Sequence, residues 1–278
     1  MIKKLLSLYI CLAISILTFA QNWEGGLYAG LSTYQGDLVV RSFDYKEIHA
    51  AYGGFLRYNF MEYVTLKLGI SGGTISGDDA NATRDIWRLE RNLSFRSSIL
   101  EFGANAEINL FGFDPYNLKK VFSPYFFGGI AVTYFNPKTL YQGEYVALQP
   151  LGTEGQGISG YESPYNLTTI SFPVGFGLKY AINDLWNIGI EAGVRYTRTD
   201  YLDDVSTVYV PRSILLTEKD ELTANLANRT GEFLNTDPVS VPEGTQRGNS
   251  ENNDTYWIVG VTISYNFIDN GLVNSRNR

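Results

Sequence analysis

The sequence predicts an all-β fold, an eight-stranded antiparallel transmembrane barrel of the outer-membrane type. Three observations predict it. Eight stretches alternate in hydropathy with a period of two, the connections between them alternate in length, and aromatic residues collect at the stretch ends. The clearest stretch is Leu93–Phe111. Ser94, Arg96, Ser98, Leu100, Phe102, Ala104, Ala106, Ile108 and Leu110 form one file, apolar from Leu100 onward. Ile99, Glu101, Gly103, Asn105, Glu107 and Asn109 form the other, polar or small after Ile99. Successive side chains of a strand leave opposite faces, so this is strand periodicity. A soluble strand runs about 5–6 residues, whereas a tilted strand crossing a bilayer needs about 9–11 plus extensions. Apolar residues then meet lipid and polar ones a lumen.

The other seven stretches follow the same rule. Trp23–Thr33 sets Trp23, Leu27, Ala29 and Leu31 against Glu24, Tyr28, Gly30 and Ser32. Ala50–Phe60 sets Tyr52, Leu56, Tyr58 and Phe60 against Gly53, Arg57 and Asn59, with Phe55 breaking the polar file. Tyr63–Ser76 turns Val64, Leu66, Leu68 and Ile70 outward and Thr65, Lys67, Gly69 and Ser71 inward. Pro124–Phe135 is aromatic on both faces, which leaves its phase open. Thr168–Tyr180 carries Pro173 in its polar file, and the missing N–H predicts a bulge or bend there. Leu185–Thr197 and Tyr256–Phe267 alternate throughout.

The connections support closure in a membrane. Met61-Glu62 and Ala181–Asp184 are short, and Gly112–Ser123 is intermediate. Tyr34–His49, Gly77–Asn92, Asn136–Leu167 and Arg198–Thr255 are long. Short turns on one rim and long loops on the other is the outer-membrane pattern, with the short turns periplasmic. A soluble barrel would bury the apolar file and wet the polar one. Within the last loop, Asp200–Pro211 is expected to continue the seventh strand and turn, Leu215–Asn228 to form a short surface helix, and Thr236–Asp254 to be mobile.

Residues 1–20 read as a cleaved secretory signal: Lys3 and Lys4, an apolar run Leu5–Phe19, and a small residue at Ala20. Residues 21–278 are expected to form one barrel domain exported to the outer membrane. The only cysteine, Cys11, lies in the signal, so no disulfide framework is expected. Losing the signal removes two lysines and takes the formal charge from −7 to about −9. That excludes the basic clustering that nucleic-acid binding requires.

Eight strands enclose a lumen that side chains just fill. Its inward files hold Glu24, Glu101, Glu107 and Glu191 with Arg57, Lys67, Lys179 and Arg195, four acids against four bases. Neighbouring strands are expected to pair Glu24 with Arg57 and Lys67 with Glu107. Mutual neutralisation is the expected role, because an unpaired charge in such a plug is costly. A proton or ion path is the sharper alternative. His49, the only histidine, falls near the outer rim without a G-x-S-x-G elbow, so no catalytic residue is assigned. Asp78, Asp79, Asp203 and Asp204 have the chemistry for calcium but no EF-hand pattern, and are read as solvated loop acids. No cofactor or metal is expected.

The runs Trp23–Leu38, Leu93–Pro115, Ser123–Pro137, Phe172–Tyr180 and Gly193–Ser206 resemble, in order, the PorG-like outer-membrane barrels of Bacteroidetes-type bacteria. The F-x-S-x-I-x-E-x-G-x-x-x-E-x-N-L pattern ending in F-x-P is the most specific part. The resemblance implies a non-catalytic part in type IX protein secretion, tying a periplasmic ring protein or lipoprotein to the outer membrane. The turn Phe113–Ser123 and the tail 269–278 are then the expected contact, with Asp114, Tyr116, Lys119 and Lys120 exposed on the turn. The alternatives are a surface barrel that binds ligands, lipopolysaccharide or other cells through its long loops, and a barrel enzyme or small-solute channel.

Overall fold

The computed structural model describes residues 23–39 and 45–267, so the signal, Cys11 and the tail 269–278 lie outside the described residues. Eight long strands form the wall: β1 (Trp23–Gln35), β2 (His49–Met61), β3 (Val64–Asp78), β4 (Ser94–Asn109), β5 (Phe122–Tyr134), β8 (Thr168–Ala181), β9 (Trp186–Thr197) and β10 (Thr255–Asn266). Between β5 and β8 a hairpin, β6 (Pro137–Tyr141) and β7 (Glu144–Ala147), extends the sheet above the wall from β4. Neighbours are antiparallel in the order β3-β2-β1-β10-β9-β8-β5-β4, and β3 pairs with β4 to close the ring. Closure removes the edges that an open sheet would expose to lipid.

The outward files place Leu27, Leu31, Leu56, Leu68, Ile70, Phe102, Ile130, Val132, Phe176, Ile190, Val261 and Ile263 in the open, between 43% and 65% exposed. No water-facing surface leaves so continuous an apolar band uncovered, so this band faces lipid. Trp23–Tyr58 and Trp186–Tyr265 ring contacts at 5.1 and 5.2 Å mark the periplasmic girdle. Tyr134, Phe172 and Tyr196 mark the other. From Phe172 to Tyr180 the strand spans roughly 20 Å of bilayer at the usual tilt. The helices that are described are short, and none is apolar and long enough to cross a membrane.

The structure settles three local questions. On β5 the exposed file is Phe122, Phe126, Ile130, Val132 and Tyr134, while Ser123, Tyr125, Phe127, Ala131 and Thr133 are buried. Phe55 sits in the lumen because the Arg57 guanidinium packs over its ring at 4.4 Å. Pro173 makes no bulge. The β5–β8 register is the same on both sides of it, and only the pairings of Pro173 itself and of Phe172 are missing. Glycines give the lumen its aromatic capacity: a Cβ on Gly175 or Gly193 would stand 2.5 Å from Phe127 Cζ.

Above the membrane the long loops fold into a cap. It contains α1 (Ile86–Arg91), α2 (Arg212–Glu218), α3 (Glu221–Ala227) and α4 (Thr230–Leu234). The expected helix over Leu215–Asn228 is thus two helices, broken at Lys219, where Asp220 caps α3 by accepting from the Thr223 N–H. It is not purely superficial, since Leu215, Ala224 and Leu226 are buried. Residues 200–211 do not extend β9; they bend and form a single bridge, Val208 with Gln246. One apolar cluster runs from the upper barrel into the cap through Tyr34, Leu38, Ile75, Phe95, Ile99, Phe135, Leu202 and Leu226. This explains Ile99 in an otherwise polar file.

Candidate functional site

The lumen is filled by a charge lattice. Arg57 lies at its centre, 2% exposed, donating from Nη1 to Glu24 at 2.8 Å and from Nε to Glu107 at 2.9 Å. Its Nη2 reaches the Tyr125 hydroxyl at 3.4 Å, and that hydroxyl donates to Glu191 at 2.9 Å. Lys179 donates to the second Glu107 oxygen at 2.8 Å. Lys67 reaches not Glu107 but Glu191, at 2.5 and 2.8 Å. The expected Lys67–Glu107 pair is corrected because Arg57 and Lys179 already hold both oxygens of Glu107. Nearer the outer mouth, Glu101 takes Arg195 Nε at 3.3 Å and the Tyr256 hydroxyl at 2.6 Å. The sequence pairs acids and bases by strand adjacency, whereas a narrow barrel also lets them meet across its diameter, as Lys67 on β3 meets Glu191 on β9.

Both mouths are stopped. At the periplasmic one the turn after β4 folds inward at Phe113, whose ring lies under Lys179 Nζ at 5.1 Å and whose N–H donates to the Glu62 carbonyl at 2.8 Å. Asn187, Asn266 and Asn109 add a hydrogen-bonded layer there. On this turn Tyr116 and Lys119 are exposed. Asp114 and Lys120 are half-buried: the Asp114 carboxylate accepts from the Tyr116 N–H at 3.0 Å, and Lys120 forms an ion pair with Glu62. These two are less free than the sequence implies, because an Asx turn and a partner on the β2–β3 turn engage them.

The outer mouth is closed by two buried arginines that clamp all four long loops. Arg91 grips Asp79 with Nε and Nη2, both at 2.7 Å, and donates to the carbonyls of Arg247 at 2.6 Å and Asp37 at 2.9 Å. Arg247 donates to Glu154 at 2.8 Å and to the carbonyls of Asp204 at 2.6 Å and Ala227 at 3.1 Å. Glu154 also accepts from Ser206 N–H, Thr207 N–H and the Thr207 hydroxyl. Asp79, Asp203 and Asp204 are therefore buried members of this lattice, not solvated loop acids. The segment expected to be mobile is pinned through Arg247.

One part of the cap is over-supplied with carboxylates. The Tyr34 hydroxyl lies 2.7 Å from Asp203 Oδ2 and 2.7 Å from Asp254 Oδ1, yet it has one proton to give. Burial holds Asp203 and Asp254 well above the usual carboxylate range, and their mutual repulsion adds to the effect on Asp254. Burial, helped by the charges of Asp37 and Glu154, lifts Asp200 to about 8, and burial lifts Asp204 to about 6 against the pull of Arg247. A carboxyl raised in the closed cap holds more protons than in the open one, so closure weakens as pH rises from the ordinary value of 3.8 to the raised one. Each such group changes the opening constant by about tenfold per pH unit across that window. Cap amides at 200–207 and 250–255, corrected for intrinsic exchange, are thus expected to exchange at least tenfold faster at pH 8 than at pH 6. Equal protection at both pH values would contradict the assignment.

His49 is positioned by a different contact. Its Nε2 is 2.5 Å from Ser76 Oγ, and Ser76 donates its proton to Glu47. His49 must then donate to Ser76, the reverse of the proton path that a serine nucleophile needs. Among the described residues no group of three His, Cys, Asp or Glu is arranged to hold a metal ion.

A family profile described as "Domain of unknown function (DUF6089)" matches residues 3–209. No curated protein matches the chain. Among solved structures, Neisserial surface protein A is similar at 9% identity and a TM-score of 0.45, covering 88% of this chain and 97% of that one. The N-terminal β-barrel domain of Pseudomonas aeruginosa OprF is similar at 12% identity and a TM-score of 0.36, covering 89% and 98%. The attachment invasion locus protein Ail of Yersinia pestis, in complex with the heparin analogue sucrose octasulfate, is similar at 9% identity and a TM-score of 0.36, covering 87% and 99%.

Proposed function

The chain belongs to the DUF6089 family, and we propose that it is a non-catalytic assembly component of the outer membrane that holds a periplasmic ring protein or lipoprotein of a type IX secretion machine. The resemblance to PorG-like barrels motivates the machine; the closed lumen supports a role for surfaces rather than for passage. The observation that carries the reading is the periplasmic turn. Phe113 is buried in the mouth and anchors the loop, which presents Tyr116 and Lys119 outward and leaves Leu118 78% exposed. An anchored turn with an apolar tip can dock a partner at little cost in ordering.

The test is site-specific photocrosslinking from position 118 in native outer membranes, followed by gentle detergent purification. Stoichiometric capture of one periplasmic protein is expected, and Leu118→Asp is expected to lose at least tenfold of it. Capture of only lipid and abundant bulk proteins would overturn the reading. A second reading, a surface-binding protein, is supported by the clamped cap, which holds its loops in one shape. It predicts instead that deleting the β6–β7 hairpin abolishes function while Leu118→Asp is silent.

A further inference from the structure

Above the lipid band, the outer wall changes chemistry where β4 meets β6. Arg96 on β4 and Lys138 on β6 are register partners, which puts their Cβ atoms about 4.5–5.5 Å apart on one face. That face is the outer one, because Arg96 is exposed between buried Phe95 and Ser97. The same file descends through Ser98 to Leu100 and Phe102, and on the neighbouring chain through Asn136 to Tyr134 and Val132. Leu100 and Tyr134 are themselves register partners, 38% and 44% exposed to lipid. Arg96 stands four residues higher, about 10 Å above them at the usual strand rise and tilt. That is the headgroup zone, and both side chains are long enough to bend into it.

The buried cations of the lumen and cap are answered by acids. Arg57, Lys67, Lys179 and Arg195 in the lumen, and Arg91 and Arg247 in the cap, each hold a carboxylate. Among the described residues, no carboxylate pairs with Arg96 or Lys138. Two cations side by side repel, and the acid beside them, Glu47, is held by the hydroxyl of Ser76, the β3 register partner of Arg96, without forming an ion pair with either. Farther round the wall Arg198 is also exposed, two residues above Tyr196. His49 lies close enough to Arg96 to feel its charge.

We propose that Arg96 and Lys138 bind the phosphorylated headgroup of an outer-leaflet glycolipid, whose acyl chains lie along Leu100, Phe102, Val132 and Tyr134. The guanidinium fork takes phosphate oxygens in pairs and the ammonium adds a second charge. The apolar files beneath select a lipid over a free phosphate, because only the lipid fills both. This site is on the wall rather than the loops, and it does not depend on the secretion role.

The experiment uses the full barrel in phosphatidylcholine nanodiscs doped with diphosphorylated lipid A. Lipid retained after release into detergent is counted by native mass spectrometry. Wild type is expected to keep lipid A, and the pair Arg96→Gln and Lys138→Gln to lose at least tenfold. Lys119→Gln at the opposite rim should keep it, and dephosphorylated lipid A should be held no better than phosphatidylcholine. Arg96→Gln alone should lose several-fold, which decides the matter should the double variant not fold. Undiminished retention by the Arg96 variants overturns the proposal. Full displacement by millimolar inorganic phosphate also overturns it, reassigning the pair to a free anion.

Discussion

Replacing Arg57 with methionine is expected to destabilise the barrel by about 3–5 kcal/mol, the cost of leaving buried charge without its partner. Among the described residues Arg57 is the only cation within ion-pair distance of Glu24, and it shares Glu107 with Lys179 and Glu191 with Lys67. Methionine fills a similar volume but gives no donors, so Glu24 is left with the Ser264 hydroxyl at 2.5 Å. The urea midpoint of the folded barrel, followed by tryptophan fluorescence, measures the loss. Adding Glu24→Gln should return part of it, because it removes the most isolated acid. A loss under about 1 kcal/mol, the range of exposed pairs, would mean that water reaches the lumen and solvates the acids.

The second large effect is expected at Arg247. Arg247→Met removes a buried side chain that joins the third loop, at Glu154, to the fourth, at Asp204 and Ala227. Its own backbone carbonyl still receives Arg91, so the fault is confined to the cap. A cap weakened by about 3–5 kcal/mol opens measurably while the strands stay paired. Limited proteolysis should cut within 200–255 and leave the β1–β9 fragment barrel-bound. Arg229→Met serves as the comparison: its ion-pair partner Glu232 is half-exposed at 51% of its side chain, and such pairs contribute about 0–1 kcal/mol. Equal protease resistance of the Arg247 variant and wild type would refute the clamp.

How far the molecule can be read from its sequence depends on the range of the interactions. The wall is local: Leu100, Phe102, Ala104 and Ala106 alternate with Glu101, Gly103 and Asn105, and that alternation places strand, phase and membrane together. The lumen residues were identifiable for the same reason, though their partners were not, since Lys67 meets Glu191 124 positions away. The cap is different. Its helices are short and cohere through Arg247 and Glu154, 93 positions apart, and a Gly- and Asn-rich sequence with such distant contacts looks like mobile loop. Asp203 illustrates the failure, because nothing near it in sequence reveals that Tyr34 awaits it. Two local signs were present: Ile99 among polar neighbours marked the start of a second core, and Arg96 broke the lipid file at the height where lipid ends.

The pairing of β1 with β10 has a consequence for how the protein is made. It joins Glu24 to Asn266, the first strand to the last, so no portion of the chain forms a finished wall before the final strand arrives. A chain truncated ahead of Thr255 would hold two unsatisfied edges, at β1 and β9, each able to recruit a strand from another molecule. Delivery to the membrane is therefore all-or-none: the nascent chain has to be kept extended and shielded until the residues of β10 are available. A well-formed β10, with Trp257, Val259, Val261, Ile263 and Tyr265 on one face, therefore matters to the timing of assembly as much as to the finished molecule.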